Sequence, residues 1–447
     1  MKNNLLSDLN PQQLKAVQTI NGPVLIVAGP GSGKTRVITK RIAFLVDSAG
    51  RSPGNIAAVT FTNKAAKEMQ SRLQELMGPS SHLVTIATFH SFCSSILRRY
   101  GGHVGIDNNF VIYDDDDQIR AIKKCMEETG VDPKNFSPRA ILSSISNSKS
   151  ELRDHQSFSS GKSNYFDEIV SRVFERYEEM LFQNGAVDFD DLLLKTHLLF
   201  DKNQEIAQIY QQKFEHLMVD EFQDTNVAQY AIAKKISESS RNLCVVGDPD
   251  QSIYSWRNAD IRNILSFQTD FPEAITVALE ENYRSTQNIL NAAQSVIEKN
   301  KERVDKNLWT RNKQGGLIVI KENYNDEEEA QSVVKEIEKL SQSPGRSLSD
   351  IAVMYRVTAQ SRALEMSCQR NGIPYQIVGG VKFYQRKEIK DITSYLRIIN
   401  NPHDDVSLAR IINVPTRSIG QRTSSEISRI ASLNKVSMFT VIENICY

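Results

Sequence analysis

Two short segments of this chain carry residue types that bind nucleotide phosphates and activate water. The first, VLIVAGPGSGKT at 24–35, is an apolar run followed by a glycine-rich turn. Between a strand and a helix, such a turn directs several backbone N–H groups at one phosphate. Lys34 would reach the β- and γ-phosphates, and the Thr35 hydroxyl would ligate Mg2+. The predicted nucleotide-binding residues here are Ala28, Gly29, Pro30, Gly31, Ser32, Gly33, Lys34, Thr35 and Arg36.

The second segment, HLMVDEFQD at 216–224, places two carboxylates at the end of an apolar run. Asp220 suits a contact to Mg2+, and Glu221 suits the general base that activates the attacking water. A third segment, VVGDPDQSIYSWR at 245–257, adds Gln251 after another apolar run. An amide at that place can contact the γ-phosphate or the attacking water. Together with the lysine of the first segment, these side chains form the predicted catalytic set.

The composition narrows the class of protein. The 447 residues include 54 Lys plus Arg and 54 Asp plus Glu, so whole-molecule charge argues neither for nor against a nucleic-acid partner. Five cysteines without a CxxC pair exclude a disulfide scaffold and a zinc ribbon. The amino-terminal residues lack the apolar segment of a secretory signal, and no run approaches the ~18 apolar residues of a membrane helix. We expect a cytoplasmic, multidomain protein with no membrane association.

Apolar runs that alternate with amphipathic helical patterns predict an α/β fold with parallel strands. The strands predicted in the first half are 24–28, 56–62, 83–87, 217–219, 243–247 and 275–279. Between 101 and about 200 the strand patterns fade, which predicts a helical insertion between two strands of one sheet. Strand patterns return at 317–320 and 351–355, which predicts a second sheet domain, and helical patterns resume after 379–380.

These segments, in this order, resemble the superfamily-1 DNA helicases of the UvrD, Rep and PcrA type over essentially the whole chain. The segment 28–35 has that family's own AGxGSGKT form, which accounts for alanine where the generic pattern has glycine. Further matches are LNPQQLKA at 9–16, TFTNKAA at 60–66, TFHS at 88–91, VDEFQDTN at 219–226, the segment 247–257, LEENYRST at 279–286, and the segments 351–362 and 379–396. Matches of this number and length, in the family's order, are highly specific.

The resemblance implies further site residues. Gln13 falls at the family position that recognises adenine, and Tyr283 at the position that stacks on the adenine ring. Arg284 falls at the position of an arginine finger. Without the matching residues on either side, Arg284 would be interpreted as part of a surface ion pair. Two aromatics beside an arginine at 254–257 favour a base-stacking platform over core anchors. The residues implied to contact single-stranded DNA are Phe61, Thr62, Asn63, Thr88, Phe89, His90, Tyr254, Trp256, Arg257 and Arg356.

The resemblance also implies the domain organisation. It predicts a P-loop NTPase with two RecA-like parallel-sheet domains and helical insertions, the second sheet domain being incomplete. The first sheet domain would comprise 1–100 and 201–278, with a helical insertion at 101–200. The second would comprise 279–378, followed by the start of a second insertion at 379–447. Two later family motifs are absent from the sequence, so we expect a C-terminally incomplete chain whose second sheet lacks strands and exposes apolar surface.

The implied function is an ATP-dependent DNA helicase that uses ATP and Mg2+ to move on single-stranded DNA and unwind duplex ahead of it. Its partners would be single-stranded DNA, single-strand/duplex junctions and proteins of repair or replication. The resemblance implies 3′ to 5′ movement, a role in DNA repair or replication restart, and association with the nucleoid. Two alternatives remain: the motor part of a helicase–nuclease subunit, or a truncated module that binds ATP or DNA without productive turnover.

Overall fold

The computed structural model describes residues 5–161, 164–300, 306–378, 387–434 and 436–445, and within these not the side chains of residues 257 and 445. The chain forms two compact units. One unit comprises Met1–Gly315 and Ser394–Tyr447, and the other comprises Gly316–Thr393. The division into four domains expected from the sequence stays a prediction.

A six-stranded parallel sheet forms the centre of the first unit. Its strands are β1 (Val24–Ala28), β2 (Ile56–Thr60), β3 (Thr85–Thr88), β6 (His216–Val219), β7 (Leu243–Gly247) and β8 (Ile275–Leu279), and a separate parallel pair is formed by β4 (Val111–Ile112) and β5 (Ala186–Val187). The parallel α/β fold predicted from the sequence is confirmed. Strands β1, β7 and β8 have the predicted bounds. β2 ends earlier than predicted because Thr62 instead caps the next helix, where its hydroxyl accepts a hydrogen bond from Ala65 N.

The strand order is β3-β2-β6-β7-β1-β8. Strand β1 therefore lies between β7 and β8, with Val24 opposite both Cys244 and Ile275. The carboxyl ends of β6, β7 and β1 are neighbours at one edge of the sheet, which is where ligands bind in open α/β folds. The chain segments that follow these three strands are the three segments with predicted chemistry.

Helices cover both faces of the sheet, so its central strands are continuous apolar runs. All five residues of β1 are buried. Leu25 and Val27 pack on one side, while Val24, Ile26 and Ala28 pack on the other. The helices of this α/β part are α1 (Pro11–Gln18), α2 (Lys34–Asp47), α3 (Asn63–Met77), α4 (Phe89–Tyr100), α10 (Gln204–Lys213), α11 (Val227–Ile236), α12 (Arg262–Leu265), α13 (Phe267–Asp270) and α14 (Gln287–Ile297).

The segment between β3 and β6 is mostly helical, as the sequence predicts. Its helices are α5 (Asp115–Glu128), α6 (Pro138–Ser150), α7 (His155–Ser160), α8 (Tyr165–Gln183) and α9 (Phe189–Lys202). Helices α5, α6 and α8 contribute to an apolar core of their own, which includes Phe174 and Tyr177, whereas α9 packs into the main core. The first unit also contains the helices near the end of the chain, after the second unit. These are the later part of α17 (Lys387–Asn400), which begins in the second unit, and α18 (Asp405–Ile411), α19 (Gln421–Asn434) and α20 (Met438–Ile445).

The second unit contains α15 (Asp326–Ser341) and α16 (Ser361–Arg370), which pack against each other. The prediction of strands at 317–320 and 351–355 is wrong for the described structure. A strand needs a neighbouring strand to hydrogen-bond with, and neither segment is paired with a strand among the described residues. Their side chains are also open to solvent, with Ile320 92% and Met354 93% exposed. No helix in the described part of the chain has the length and apolar character of a membrane span.

Candidate functional site

The turn after β1 has the conformation of a phosphate-binding loop, here called the phosphate loop (residues 28–35). Gly31 and Gly33 have φ values of +67° and +88°, which side chains disfavour. Gly33 is the N-cap of α2, and Lys34 and Thr35 begin the helix. The free N–H groups of that helix end favour an anion. Residues 28–35 thus have the backbone conformation of a phosphate cradle, and phosphate binding by them stays a prediction.

Helix α1 supports the phosphate loop. Asn10 caps this helix and shares a capping box with Gln13, whose amide oxygen accepts a hydrogen bond from Asn10 N at 3.2 Å. The buried Gln13 amide also donates to Ser32 O at 2.9 Å. The oxygen and the nitrogen of this amide therefore both form hydrogen bonds within the protein. The recognition of adenine by Gln13 stays a prediction. Arg36 pairs with Asp8.

The acid pair, Asp220 and Glu221, lies beside the phosphate loop. Lys34 Nζ is 2.8 Å from Glu221 Oε2 and 3.5 Å from Gln251 Oε1, so the structure brings three predicted catalytic residues together. Glu221 has a φ of +50°, a conformation that is uncommon outside glycine. Such strained residues concentrate at functional sites. Here the turn directs the Glu221 carboxylate towards the lysine.

Asp220 is a buried carboxylate suited to a divalent cation. Burial, and then the adjacent charge of Glu221, raise the pKa of Asp220 to about 7. A bound cation would offset the cost of charging this carboxylate. Mg2+ takes oxygen ligands and usually keeps only one or two from the protein, the rest coming from water and phosphate. The Thr35 hydroxyl and the Asp220 carboxylate fit this requirement, and no larger acidic, histidine or cysteine group for a metal occurs among the described residues.

The turn after β7 joins the same network of hydrogen bonds. Gln223 Nε2 donates to Glu221 Oε2 at 2.9 Å, while Gln223 Oε1 accepts from Asp248 N at 2.9 Å. Gln251 Nε2 donates in turn to Asp248 Oδ2 at 2.5 Å. The side chains of Gln223 and Asp248 were not singled out by sequence reasoning. They connect the ends of β6 and β7, a contact between segments far apart in the chain.

The loop 280–285 lies directly on the phosphate loop. Tyr283 N donates to Gly31 O at 3.0 Å, and Asn282 Nδ2 donates to Pro30 O at 2.6 Å. A Cβ atom on Gly31 would come within 2.8 Å of the Arg284 Cβ atom, so Arg284 lies beside the predicted phosphate position. Sequence reasoning identified Tyr283 and Arg284 but missed Asn282, which is 1% exposed.

The ring of Tyr283 is held at the edge of this loop. Its hydroxyl donates to Glu281 Oε2 at 2.8 Å and accepts from Asn10 Nδ2 at 2.8 Å. Burial, and then the hydrogen bond to Glu281, raise the pKa of Tyr283. The ring itself is 44% exposed, so one face remains open for a planar group such as a base. Glu281 thereby orients this tyrosine.

Three of the predicted DNA-contacting aromatics form one surface, here called the aromatic row (Phe61, Tyr254 and Trp256). The ring centroids of Phe61 and Tyr254 are 4.7 Å apart, and those of Tyr254 and Trp256 are 6.1 Å apart. They come from the segments after β2 and β7, and Trp256 is 66% exposed. Phe61 and Tyr254 are half-buried. Neighbouring rings that are partly open to solvent are suited to stacking on the bases of a single strand.

The other predicted DNA contacts are more scattered. Thr62 and Thr88 accept the N-cap hydrogen bonds of α3 and α4, and Phe89 is buried in the main core. His90 packs its ring edge against Phe189 at 5.8 Å. Asn63 is exposed at the start of α3. The side chain of Arg257 lies outside the described residues, as does 379–386 of the predicted motif 379–396, and Arg356 is an exposed residue of the second unit.

A phosphate loop after β1 and an acid pair after β6, at the same edge of the sheet, are the arrangement of a P-loop protein. A family model described as the UvrD/REP helicase N-terminal domain matches residues 9–272, and one described as the UvrD-like helicase C-terminal domain matches residues 277–445. The chain therefore belongs to the UvrD/REP helicase family. Sequence reasoning reached the same family.

Similar proteins agree with this assignment. The chain is 49% identical over 445 residues to the ATP-dependent DNA helicase PcrA of Bacillus subtilis. This match covers 100% of this chain and 60% of that relative. It is 49% identical over 443 residues to PcrA of Staphylococcus epidermidis and 48% identical over 440 residues to PcrA of Staphylococcus aureus. These matches cover 99% and 98% of this chain, and 61% and 60% of the two relatives. The chain spans about three fifths of the length of these relatives.

Proposed function

We propose that this protein is an ATP-dependent DNA helicase, which binds ATP with Mg2+ and uses its hydrolysis to move along single-stranded DNA. The observation that carries the proposal is the cluster of Lys34, Glu221 and Gln251 at the phosphate loop. Gln251 lies only three residues before Tyr254 of the aromatic row, so the nucleotide site and the stacking surface share one short segment. The names of the relatives, ATP-dependent DNA helicase, support this proposal.

The first step is the exchange of ion-pair partners by Lys34. Its ammonium group pairs with Glu221 in the structure. When phosphates of ATP occupy the phosphate loop, their negative charge competes for the lysine, and Glu221 is released to accept a proton from the attacking water. Gln251, which already contacts the lysine, then hydrogen-bonds the γ-phosphate or that water. The ion pair with Lys34 thereby keeps the general base inactive until substrate binds.

Thr35 and Asp220 would hold Mg2+. Held there, the ion would supply positive charge against the negative phosphate oxygens. Arg284 acts on the same charge from the opposite side, since its loop is hydrogen-bonded to the phosphate loop through Asn282 and Tyr283. Tyr283 stacks on the adenine with its exposed face, and its hydroxyl bonds keep the ring in place.

Movement on DNA follows from changes in the turn that carries Gln251. A shift of this amide between its contacts with Asp248, Lys34 and phosphate displaces the following residues, which include Tyr254 and Trp256. The aromatic row then alternately grips and releases bases. Stacking makes no distinction of sequence, which suits a motor that must pass along any strand.

The finer properties extend the same proposal. We infer movement in the 3′ to 5′ direction, unwinding at single-strand/duplex junctions, a role in DNA repair or replication restart with protein partners from those processes, and a cytoplasmic location at the nucleoid. The four-part domain organisation, with boundaries near 100, 200, 278 and 378, belongs to the proposal as well. Each rests on the family to which the chain belongs.

The first experiment measures phosphate release by purified residues 1–447 with and without single-stranded DNA. Lys34→Ala serves as the inactive variant, and binding of a fluorescent ATP analogue is measured in parallel. DNA-stimulated release that Lys34→Ala abolishes would support the motor. Tight binding of the analogue without phosphate release would instead identify a module that binds without turnover. Loss of both in a folded protein would contradict the nucleotide site.

A further inference from the structure

One buried cation near the nucleotide site takes no part in the mechanism above. Lys306 is 4% exposed, and its ammonium group pairs with the Asp248 carboxylate and lies 3.1 Å from Asp250 Oδ2. Both carboxylates are also buried, with side chains 0% and 7% exposed. All three residues belong to the same compact unit. A lysine enclosed in this way is held by charge pairing, because burying an unpaired ammonium group costs several kcal/mol.

The partners of Lys306 determine where Gln251 lies. Asp248 Oδ2 accepts the hydrogen bond from Gln251 Nε2, and Asp248 Oδ1 accepts one from Asp250 N at 3.1 Å. Residues Pro249–Gln251 form a 3-10 turn whose N-cap is Asp248. The lysine thus neutralises the two acids of the turn that presents Gln251 to Lys34. Without this positive charge, two neighbouring buried carboxylates would repel each other, and the turn would rearrange to separate or solvate them.

The segment that carries Lys306 also contacts the other nucleotide-site loops. A Cβ atom on Gly29 of the phosphate loop would lie 2.2 Å from the Leu308 side chain, so the two segments are in close contact. Trp309 exchanges backbone hydrogen bonds with the loop 280–285, through Asn282 N to Trp309 O at 2.8 Å and Trp309 N to Glu280 O at 3.2 Å. The segment 306–309 therefore touches the phosphate loop, the loop with Arg284 and the turn with Gln251.

We propose that Lys306 is a positioning residue for ATP turnover. By pairing with Asp248 and Asp250, it holds the turn of Gln251 in the orientation that contacts Lys34, and it ties this turn to the loop that carries Arg284. One short segment, 306–309, thereby positions both Gln251 and Arg284, the two groups proposed to act on the γ-phosphate. The inference rests on the proposed hydrolysis of ATP and assigns to Lys306 a role in kcat and not in ATP affinity.

The test compares Lys306→Ala with Lys306→Arg, which keeps the charge, and with Lys313→Ala as a matched control. Lys313 lies in the same stretch of chain but is exposed. DNA-stimulated phosphate release should have a kcat about tenfold lower in Lys306→Ala, with KM for ATP changed less than about threefold. Lys306→Arg should recover most of the rate. Lys313→Ala should behave as the wild type.

A second readout does not depend on turnover. Hydrogen exchange of the amides of Asp250 and Gln251, which both bond to Asp248, should be about tenfold faster in Lys306→Ala and unchanged in Lys313→Ala. Unchanged exchange in Lys306→Ala would overturn the proposal even if the protein is active. Faster exchange in Lys306→Ala with a normal kcat would also overturn it. So would a loss of kcat in Lys306→Arg as large as that in Lys306→Ala. If the wild-type chain releases no phosphate, the proposed function fails, and the exchange result alone decides whether Lys306 positions the turn.

Discussion

Asn282→Ala should detach the loop of Arg284 from the phosphate loop. The buried Asn282 amide makes three hydrogen bonds: Nδ2 donates to Pro30 O at 2.6 Å, and Oδ1 accepts from Arg284 N at 2.8 Å and Ser285 N at 2.7 Å. Alanine removes all three. The loop then keeps the bond from Tyr283 N to Gly31 O at 3.0 Å and its side-chain contacts with Asn10.

The size of the effect follows from the number of bonds lost. Only the bond to Pro30 O joins the loop to the phosphate loop, because Arg284 N and Ser285 N belong to the loop itself. One such bond contributes about 1 kcal/mol net, so the closed loop loses about 1 kcal/mol relative to the open one. That corresponds to a shift of about fivefold in the ratio of closed to open loop. The loop is a local element, so most of this change should appear as local opening and only a small part as global unfolding.

Hydrogen exchange of the Tyr283 amide measures this opening, because its acceptor, Gly31 O, is untouched by the substitution. Its exchange should be about fivefold faster in Asn282→Ala. Asn300→Ala, at an exposed asparagine after α14, is the matched control and should leave that exchange unchanged. Phosphate release should fall as well, because Arg284 spends less time beside the phosphates. Exchange within about threefold of the wild type would refute the reasoning that Asn282 holds the loop.

The remaining predictions concern other parts of the molecule. Glu221→Gln should bind ATP within about threefold of the wild type but hydrolyse it at least 100-fold more slowly; lost binding would refute the general-base role. Trp256→Ala should lower DNA stimulation of phosphate release more than the unstimulated rate, whereas equal losses would make the ring a structural element. Burial, and then nearby arginines, lower the pKa of His216 to about 4, so only the unfolded state gains its proton as the pH falls from 6.5 to 4. His216 should therefore contribute up to about 3 kcal/mol of stability that is lost over that range, measured as the difference in urea unfolding between the wild type and His216→Leu; an equal pH dependence in both proteins would contradict the assignment.

His216 is a buried histidine whose environment the sequence motif around it does not reveal. It begins strand β6 within the segment that carries the acid pair, yet neither of its ring nitrogens has a hydrogen-bond partner among the described residues. The ring is 1% exposed. Its contribution to pH dependence therefore comes from burial near arginines, which the alternation of apolar residues along the strand does not reveal.

The strand predictions divide by the kind of interaction that forms the strand. β1, β7 and β8 were predicted with their observed bounds, because a strand buried on both faces is a continuous apolar run that ends at a turn signal. The segment 317–320 has a similar apolar run but is not a strand in the described structure. Pairing is a contact between distant segments, and no pattern within four residues determines whether a neighbour is present.

The sequence by itself determined the phosphate loop, the acid pair, the glutamine after β7 and the family. Each depends on residue types at short fixed spacing, because glycine conformation and the ends of strands are local properties. The tertiary structure alone decided that Asn282 holds the loop of Arg284, that Phe61 joins Tyr254 and Trp256 in one row, and that Lys306 lies between two acids of a turn. These contacts join segments that are tens to hundreds of residues apart, so they exist only once the strand order brings the ends of β2, β6, β7 and β1 to one edge of the sheet.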